Sequence, residues 1–539
     1  MRRYRPLPAV VFAIVVSALV GGFFGRSALA TDDKIPEHYK AFTAALNAIE
    51  TSYVDKVESD NLVTSAIRGM LGTLDPHSSY FTPREYAQMR ERQEGRYYGI
   101  GVSIIAVDGD ITAFTVFEGS PAHKKGIRVG DVISKVGDQS AKGWTTDQAM
   151  RALRGPRGTT VQIEIKRRGY EKPIPVELIR DEVYIPTVPA YFMIDTTTGY
   201  IRMQDFGENT DHDVKHALHE LASKGMRRLL FDIRRNPGGP LDQAIKVSNE
   251  FLPRGKMIVY TRGRIPNSDQ DYRATEDGEF TDIPIVLLAN RDSASASEIV
   301  TGALQDHDRA YVVGETTFGK ALVQSIYKIS GAAGLALTTA HYYTPSGRLI
   351  QRPWDTTFDE YLSYGLKDQE QARPHTPNEL KHTDSGRPVY SGGGIEPDKR
   401  IPGPVEGFNP TRFGRTLYAR QQFERFAQNY AAEGDTRISG TSTGRKVVKP
   451  SFVVDDAMVA EFREQLKNDR IKMDEESFKK DLDFIKAMIR FRIDDALFGM
   501  AEARRHLIAV DPQAQAALSL FGEAQKLTEL NKANKTKAH

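Results

Sequence analysis

The sequence predicts an α/β multidomain protein, and three observations carry that expectation. Between about 185 and 350, strand-like runs alternate with helix-like ones, the pattern of a core built on parallel strands. Ahead of it, some 75 residues from Tyr97 pack short strands and two small helices into a β-rich module. On either side, residues from about 35 to 92 and beyond about 405 read as helical. The implied division is 1–30 as a targeting segment, 31–95 as an N-terminal helical region, 96–180 as the β-rich module, 181–400 as the α/β core and 401–539 as a C-terminal helical region.

The elements follow in order. Arg2, Arg3 and Arg5 precede an uncharged apolar run from Ala9 to Phe24, and Ala28-Leu29-Ala30 follows it. A basic head, a short apolar stretch and an A-x-A site make a secretory signal peptide. The run is 16 residues long, below the ~20 that span a bilayer comfortably. Cleavage after Ala30 is the expectation, with an uncleaved anchor as its rival. Ile35, Tyr39, Phe42, Leu46 and Ile49 then recur at helical spacing, Leu74 to Ser79 interrupts with turn chemistry, and Pro83 permits a fresh helix.

In the β-rich module, Tyr98-Gly99-Ile100-Gly101-Val102 opens a strand, Ser120-Pro121-Ala122 caps a short helix, and a second helix runs from about Thr146 to Leu153. In the core, strands are expected at Tyr200–Met203, Leu229–Ile233, Ile285–Ala289, Tyr311–Val313, Val323–Ile329 and Leu335–Tyr342, with helices at 211–223, 240–251 and 296–306. Residues 352–400 are polar, rich in Pro and Gly, and loop-like. Further on, Asp474 can cap a helix whose stripe is Phe478, Leu482, Ile485, Ile489 and Ile493. That stripe suits a core or a partner equally well.

Composition narrows the chemistry. The 539 residues carry a net charge of +2 with no clustered basic face, so no nucleic-acid partner is expected. There is no cysteine, which removes disulfides, thiolate nucleophiles and Cys-ligated metals together. His216-Ala217-Leu218-His219-Glu220 has neither zinc-protease order and reads, with His212, as a solvent-facing row. Phosphate-loop and dinucleotide fingerprints are missing as well, so neither metal nor cofactor is expected.

The most informative stretch is Asn290-Arg291-Asp292-Ser293-Ala294-Ser295-Ala296-Ser297-Glu298, set between the strand Ile285–Ala289 and the following helix. A hydroxyl there meets free backbone N–H groups and a helix dipole that favour an oxyanion. The same serines also suit caps and close packing. Lys320 stands among Phe318, Leu322 and Val323 between two strands. A free lysine, with a pKa of ~10.4, is protonated and useless as a base, but burial disfavours the ammonium. Asn236-Pro237-Gly238-Gly239 ends another strand, where paired glycines allow close backbone approach to a ligand.

Taken together these residues resemble the carboxyl-terminal processing peptidases, or tail-specific proteases. The matching motifs are Ser295-Ala296-Ser297-Glu298 and Phe318-Gly319-Lys320, 25 residues apart from Ser295 to Lys320, with Asp232 to Gly239 resembling the oxyanion turn. Tyr343 to Arg348, Gly394 to Asp398 and Leu74 to Phe81 resemble further landmarks, and the module at 97–168 resembles the family's PDZ domain. The resemblance implies a crotonase-like (ClpP/crotonase-type) core with an inserted PDZ domain. It implies Ser295 as nucleophile, Lys320 as general base and Gln324 as the residue orienting the lysine amine. Backbone N–H groups of Gly238, Gly239 and Ala296 would serve the oxyanion.

Tyr98, Gly99, Ile100 and Gly101 would form the carboxylate loop that captures a substrate's C-terminus, and Arg154 is the candidate that relays the bound state to Lys320 and Gln324. The implied protein is a serine endopeptidase of the cell envelope, periplasmic or held at the inner membrane. Its substrates would be proteins taken by their C-termini, and its C-terminal helices would be free to meet an adaptor or a second copy. A silent PDZ scaffold and a Ser–His hydrolase are the rival readings.

Overall fold

A computed structural model describes residues 35–354, 361, 374–402, 410–433 and 445–537. The apolar N-terminal run, the A-x-A site and Thr31 lie outside these residues. The chain divides into two compact units, Met1–Thr82 and Pro83–His539.

In the first unit, helices Ile35–Ser52 and Ser59–Leu71 lead to a turn built on Asp75. Its carboxylate accepts the N–H groups of His77 and Ser78, both at 2.8 Å, and the Ser78 hydroxyl at 2.6 Å. The helical stripe read from the sequence is largely exposed, Tyr39 at 71%. Among the described residues no helix is long and apolar enough to cross a membrane.

The second unit begins with helix Pro83–Glu94. The sequence reading assigns this helix to the N-terminal region; several of its contacts are to residues of the second unit. Arg84 pairs with Asp147, Glu91 with Arg154, and Tyr86 fills the space beside Gly334. The β-rich module follows as an antiparallel sheet in the order Val102–Val107, Asp110–Val116, Val132–Val136, Thr160–Lys166, Ile174–Ile179. Its core gathers Ile100, Ile111, Ile133, Ile163, Ile165 and Leu178.

The α/β core rests on a six-stranded sheet in the order Ala190–Met193, Thr198–Arg202, Arg228–Asp232, Ile285–Ala289, Ala310–Gly314, Lys399–Arg400. Every neighbouring pair is parallel except the first. A sheet of this kind needs cover on both faces. On one face Ile201, Leu229, Phe231, Ile285 and Leu287 pack with helices Thr210–Ser223, Leu241–Asn249 and Ala296–Asp306. On the other, Tyr200, Leu230, Val286 and Leu288 meet Ile508, Ala514, Ala517, Phe521 and Ala524 of the last three helices. A second, antiparallel sheet holds Leu322–Lys328 against Gly334–Tyr343, and Met257–Gly263 against Gln270–Arg273.

The C-terminal stripe is core-facing: Phe478, Ile485, Ile489 and Ile493 are buried. It is not one helix, however. Glu475–Lys480 ends and Leu482–Leu497 begins across Asp481. The Asp481 carboxylate accepts the N–H of Thr411 (2.8 Å), its hydroxyl (2.7 Å) and the N–H of Gly414 (3.0 Å), so it holds the start of helix Arg412–Ala419.

Candidate active site

The strand Ile285–Ala289 delivers the chain into the turn 290–295, and helix Ala296–Asp306 leaves it. Three serines with similar sequence surroundings part company here. Ser293 donates its hydroxyl to the Ile233 carbonyl at 2.9 Å, and Ser297 donates to the Asn236 carbonyl at 2.9 Å. Both tie the turn to its neighbour at 233–239. Ser295 instead takes φ 55° and ψ −116°, a backbone conformation that side chains disfavour, at the helix N-cap. Strain of this kind is stored where the surroundings over-determine it, and it collects at active sites.

Those surroundings centre on Glu298, which is fully buried. Its Oε2 accepts the N–H of Ser295 at 2.8 Å and the N–H of Lys320 at 2.9 Å. The two amide nitrogens are therefore no further apart than the sum of those lengths. Its Oε1 accepts the N–H of Gly319 at 2.6 Å and the hydroxyl of Thr317 at 2.5 Å. Burial pushes the Glu298 pKa up, and these four hydrogen bonds oppose the rise.

Tyr342 adds a second tie, its buried hydroxyl lying 3.1 Å from the Ser295 carbonyl oxygen and 2.6 Å from that of Lys320. A third runs from the Phe318 N–H to the Ser293 carbonyl at 2.9 Å. Sequence reading missed Thr317 and Tyr342. Thr317 borders the Phe318-Gly319-Lys320 motif, but nothing in a strand tyrosine announces that its hydroxyl meets two loops.

Lys320 is half-buried, and its Nζ donates to Gln324 Oε1 at 3.0 Å. Gln324 sits where the pairing of Leu322–Lys328 with its neighbour shifts register, between Val323 and Gln324. Such an irregularity re-aims a side chain.

The glycine turn lies against the serine turn. A Cβ on Gly238, where φ is +89°, would meet the Ala294 carbonyl oxygen at 2.6 Å, Ser295 Cβ at 2.7 Å and the Ala296 nitrogen at 2.8 Å. Of the three expected oxyanion donors, Gly238 has its N–H on Asn236 Oδ1 at 3.0 Å. Among the described residues the N–H groups of Gly239 and Ala296 donate to no protein acceptor. Ala296 is the first residue of its helix, where an amide has no intrahelical partner.

The remaining landmarks brace the same helix. Buried Arg348 donates to Asp306 Oδ1 (2.5 Å) and Gln305 Oε1 (3.1 Å) at its end, and Gln305 donates to the Glu396 carbonyl (2.8 Å). The histidines at 212, 216 and 219 are exposed, and no group of residues among those described could hold a metal ion.

In the β-rich module, Gly101 takes φ +85°, and a Cβ there would lie 2.1 Å from Ser120 Cβ, so only glycine fits. Ile100 is core, Gly99 is buried and Tyr98 is exposed. The strand Val102–Val107 is the sheet's edge and runs beside helix Thr146–Leu153, leaving backbone groups for an added strand. Arg154 pairs with Glu91 and lies 4.7 Å over the Tyr97 ring. Among the described residues no hydrogen bond or ion pair joins Arg154 to Lys320 or Gln324.

A strained serine at a strand-to-helix turn, a lysine tied to the same carboxylate and a PDZ-like module define a serine-type peptidase. Family models agree: residues 197–359 match peptidase family S41, 115–167 a PDZ domain and 26–84 the N-terminal domain of the activating protease CtpB. The carboxy-terminal-processing protease of Bartonella bacilliformis is 40% identical over 308 residues, 56% of this chain and 70% of that one. Carboxy-terminal processing protease CtpA of Bacillus subtilis is 31% identical over 390 residues, 71% and 80% of the two chains. A solved photosystem II D1 C-terminal processing protease is 30% identical over 57% of this chain and 89% of its own, with a TM-score of 0.33. The chain belongs to the carboxy-terminal-processing protease family.

Proposed function

We propose that the protein is an endopeptidase that cuts proteins near their C-termini, with Ser295 as nucleophile and Lys320 as general base. The observation that carries this reading is the pair of N–H groups, one from Ser295 and one from Lys320, held on a single oxygen of Glu298. The neutral Lys320 amine takes the Ser295 proton as Oγ attacks the scissile carbonyl. Gln324 Oε1, 3.0 Å from Nζ, fixes the amine's direction. The N–H groups of Gly239 and Ala296 receive the oxyanion, and the lysine then returns its proton to the leaving amine. The PDZ domain takes the substrate's free C-terminus along its edge strand and raises the local concentration of the neighbouring segment at Ser295.

The basic, apolar and A-x-A segments at the N-terminus support export to the cell envelope. Intact-mass measurement of envelope protein tests this, a mass starting near Thr31 being the expected result.

Peptide mass spectrometry on a protein mixture tests the chemistry. Ser295→Ala and Lys320→Ala should each abolish cleavage while retaining the wild-type melting curve. A lost general base alone costs ~10²–10⁴-fold. Cleavage surviving in Lys320→Ala would point to another base and end this assignment.

A further inference from the structure

A lysine that works as a base has to be held at its root as well as at its tip. Gln324 aims the Lys320 amine, but residues 316–321 belong to no helix or strand, so no ladder fixes the main chain from which that side chain springs. Buried N–H and carbonyl groups in such a stretch must find partners elsewhere. The four that flank the Lys320 Cα all do. In the peptide group before it, the Lys320 N–H rests on Glu298 Oε2, and the Gly319 carbonyl accepts the Arg352 N–H at 2.9 Å. In the peptide group after it, the Lys320 carbonyl accepts the Tyr342 hydroxyl, and the Ala321 N–H donates to Gln351 Oε1 at 2.8 Å.

Glu298 and Tyr342 also hold Ser295. The other two partners come from residues 351 and 352, in a segment that is itself tied down. The Leu349 carbonyl accepts the Gly392 N–H at 2.8 Å, and the Ile350 carbonyl accepts the Gly394 N–H at 2.9 Å. Ala321 is fully buried, so water does not stand in for Gln351 as acceptor. The Gln351 amide has one productive orientation. Its Oε1 takes the Ala321 N–H, while its Nε2 donates to the Arg352 carbonyl at 2.9 Å and to the Tyr361 hydroxyl at 3.1 Å. A flipped amide would set donor against donor at Ala321 and oxygen against oxygen at Arg352.

We propose that Gln351 is a positioning residue for the general base: through the Ala321 N–H it fixes the backbone at Lys320, and with it the arc in which the amine reaches Ser295. The inference rests on the reading of Lys320 as the base. A tilt at the Lys320 Cα is carried out along a flexible four-carbon stem. A misplacement of about 1 Å at a reacting group costs ~10²-fold in rate. Without Gln351 the Ala321 N–H becomes a buried donor with no acceptor, and the loop shifts to satisfy it. Glu298 and Tyr342 would then hold Lys320 from one peptide atom on each side of its Cα, with the turn between them free to rotate.

The test uses the full chain and one peptide substrate. Gln351→Met keeps the length of the side chain and deletes both its polar ends. In protein with the wild-type circular dichroism spectrum, kcat should fall ~10–100-fold while KM stays within about twofold. Unchanged kcat, or a loss carried by KM, overturns the inference, and the base assignment stands provided Lys320→Ala has lost cleavage. Cleavage surviving in Lys320→Ala removes the base itself, and the positioning role falls with it. A second measurement needs no variant and decides the matter if Gln351→Met does not fold. In the wild-type protein, residue-resolved hydrogen exchange should find the Ala321 amide as slow as that of Lys320. Fast exchange at Ala321 overturns the proposal.

Discussion

Four donors converge on Glu298, and an ionised carboxylate accepts all of them with two oxygens. Glu298→Gln keeps the shape but turns one oxygen into a donor facing donors. The expected cost is about 3 kcal/mol of stability, from lost charge-assisted bonds in a buried site. Because the carboxylate acts through Ser295 and Lys320, kcat should fall while KM holds, measurable on one peptide alongside the melting curve.

Asp384 is a second residue whose charge has consequences. Burial would raise its pKa, but the hydrogen bonds and charges of His307 and Lys256 hold it down to about 2. A depressed carboxylate lends stability above its unfolded pKa of ~3.9, and that stability drains away as pH falls through the folded value. The gap in Tm between wild type and Asp384→Asn should be full at about pH 5 and shrink as pH falls toward and through about pH 2. A gap independent of pH would show that the charge is not what stabilises.

Among the elements, the turn at 236–239 is the most constrained. Asn236 is fully buried, its carbonyl taking the Ala294 N–H at 3.0 Å and its Oδ1 the Gly238 N–H. The turn therefore positions the serine loop as well as facing it. Gly238→Ala adds a methyl against backbone at a positive φ, where nothing flexible can yield. The expected result is a ~10²–10³-fold loss in kcat, the scale of a spoiled oxyanion site, with soluble protein retained. Wild-type turnover would show that the loop accommodates the methyl.

The sequence made this turn legible through its paired glycines, and the three serines legible only as a group. What separates Ser295 from Ser293 and Ser297 is which hydroxyl finds a carbonyl in a turn some 60 residues away, and local spacing carries no record of that. The break at Asp481 has the same origin. Its apolar periodicity runs straight through, but a distant helix start needs an acceptor there.

For the whole molecule, the C-terminal region completes the enzyme. Residues 500–527 cover one face of the protease sheet, with Arg505 over Phe192 at 4.5 Å and Arg228 over Phe521 at 4.6 Å. Arg234, beside the glycine turn, pairs with Asp511 at 2.7 Å. Deleting residues 500–539 should expose that face and give aggregated protein or loss of cooperative melting. A soluble, active truncation would show the cover to be dispensable. The residues before this cover hold the PDZ domain. Gln428 accepts the Arg168 N–H at 3.0 Å and fills the space beside Gly130, while Arg445 donates to the Tyr170 hydroxyl at 3.1 Å.

The sequence by itself determined the alternating core, the PDZ-like module, the helical flanks, and the motifs that bring Ser295, Lys320 and the glycine turn into view. Hydrophobic period, turn residues and fixed spacing are local quantities, so they survive in a linear string. Only the tertiary structure decided which serine is strained, that Gly238 spends its N–H on Asn236, and that Arg154 pairs with Glu91 over the Tyr97 ring. It alone gave the final helices a sheet to cover. Each of these is a contact between residues far apart in sequence, chosen by which buried donor or apolar face lacked a partner, and that choice exists only once the chain has closed on itself.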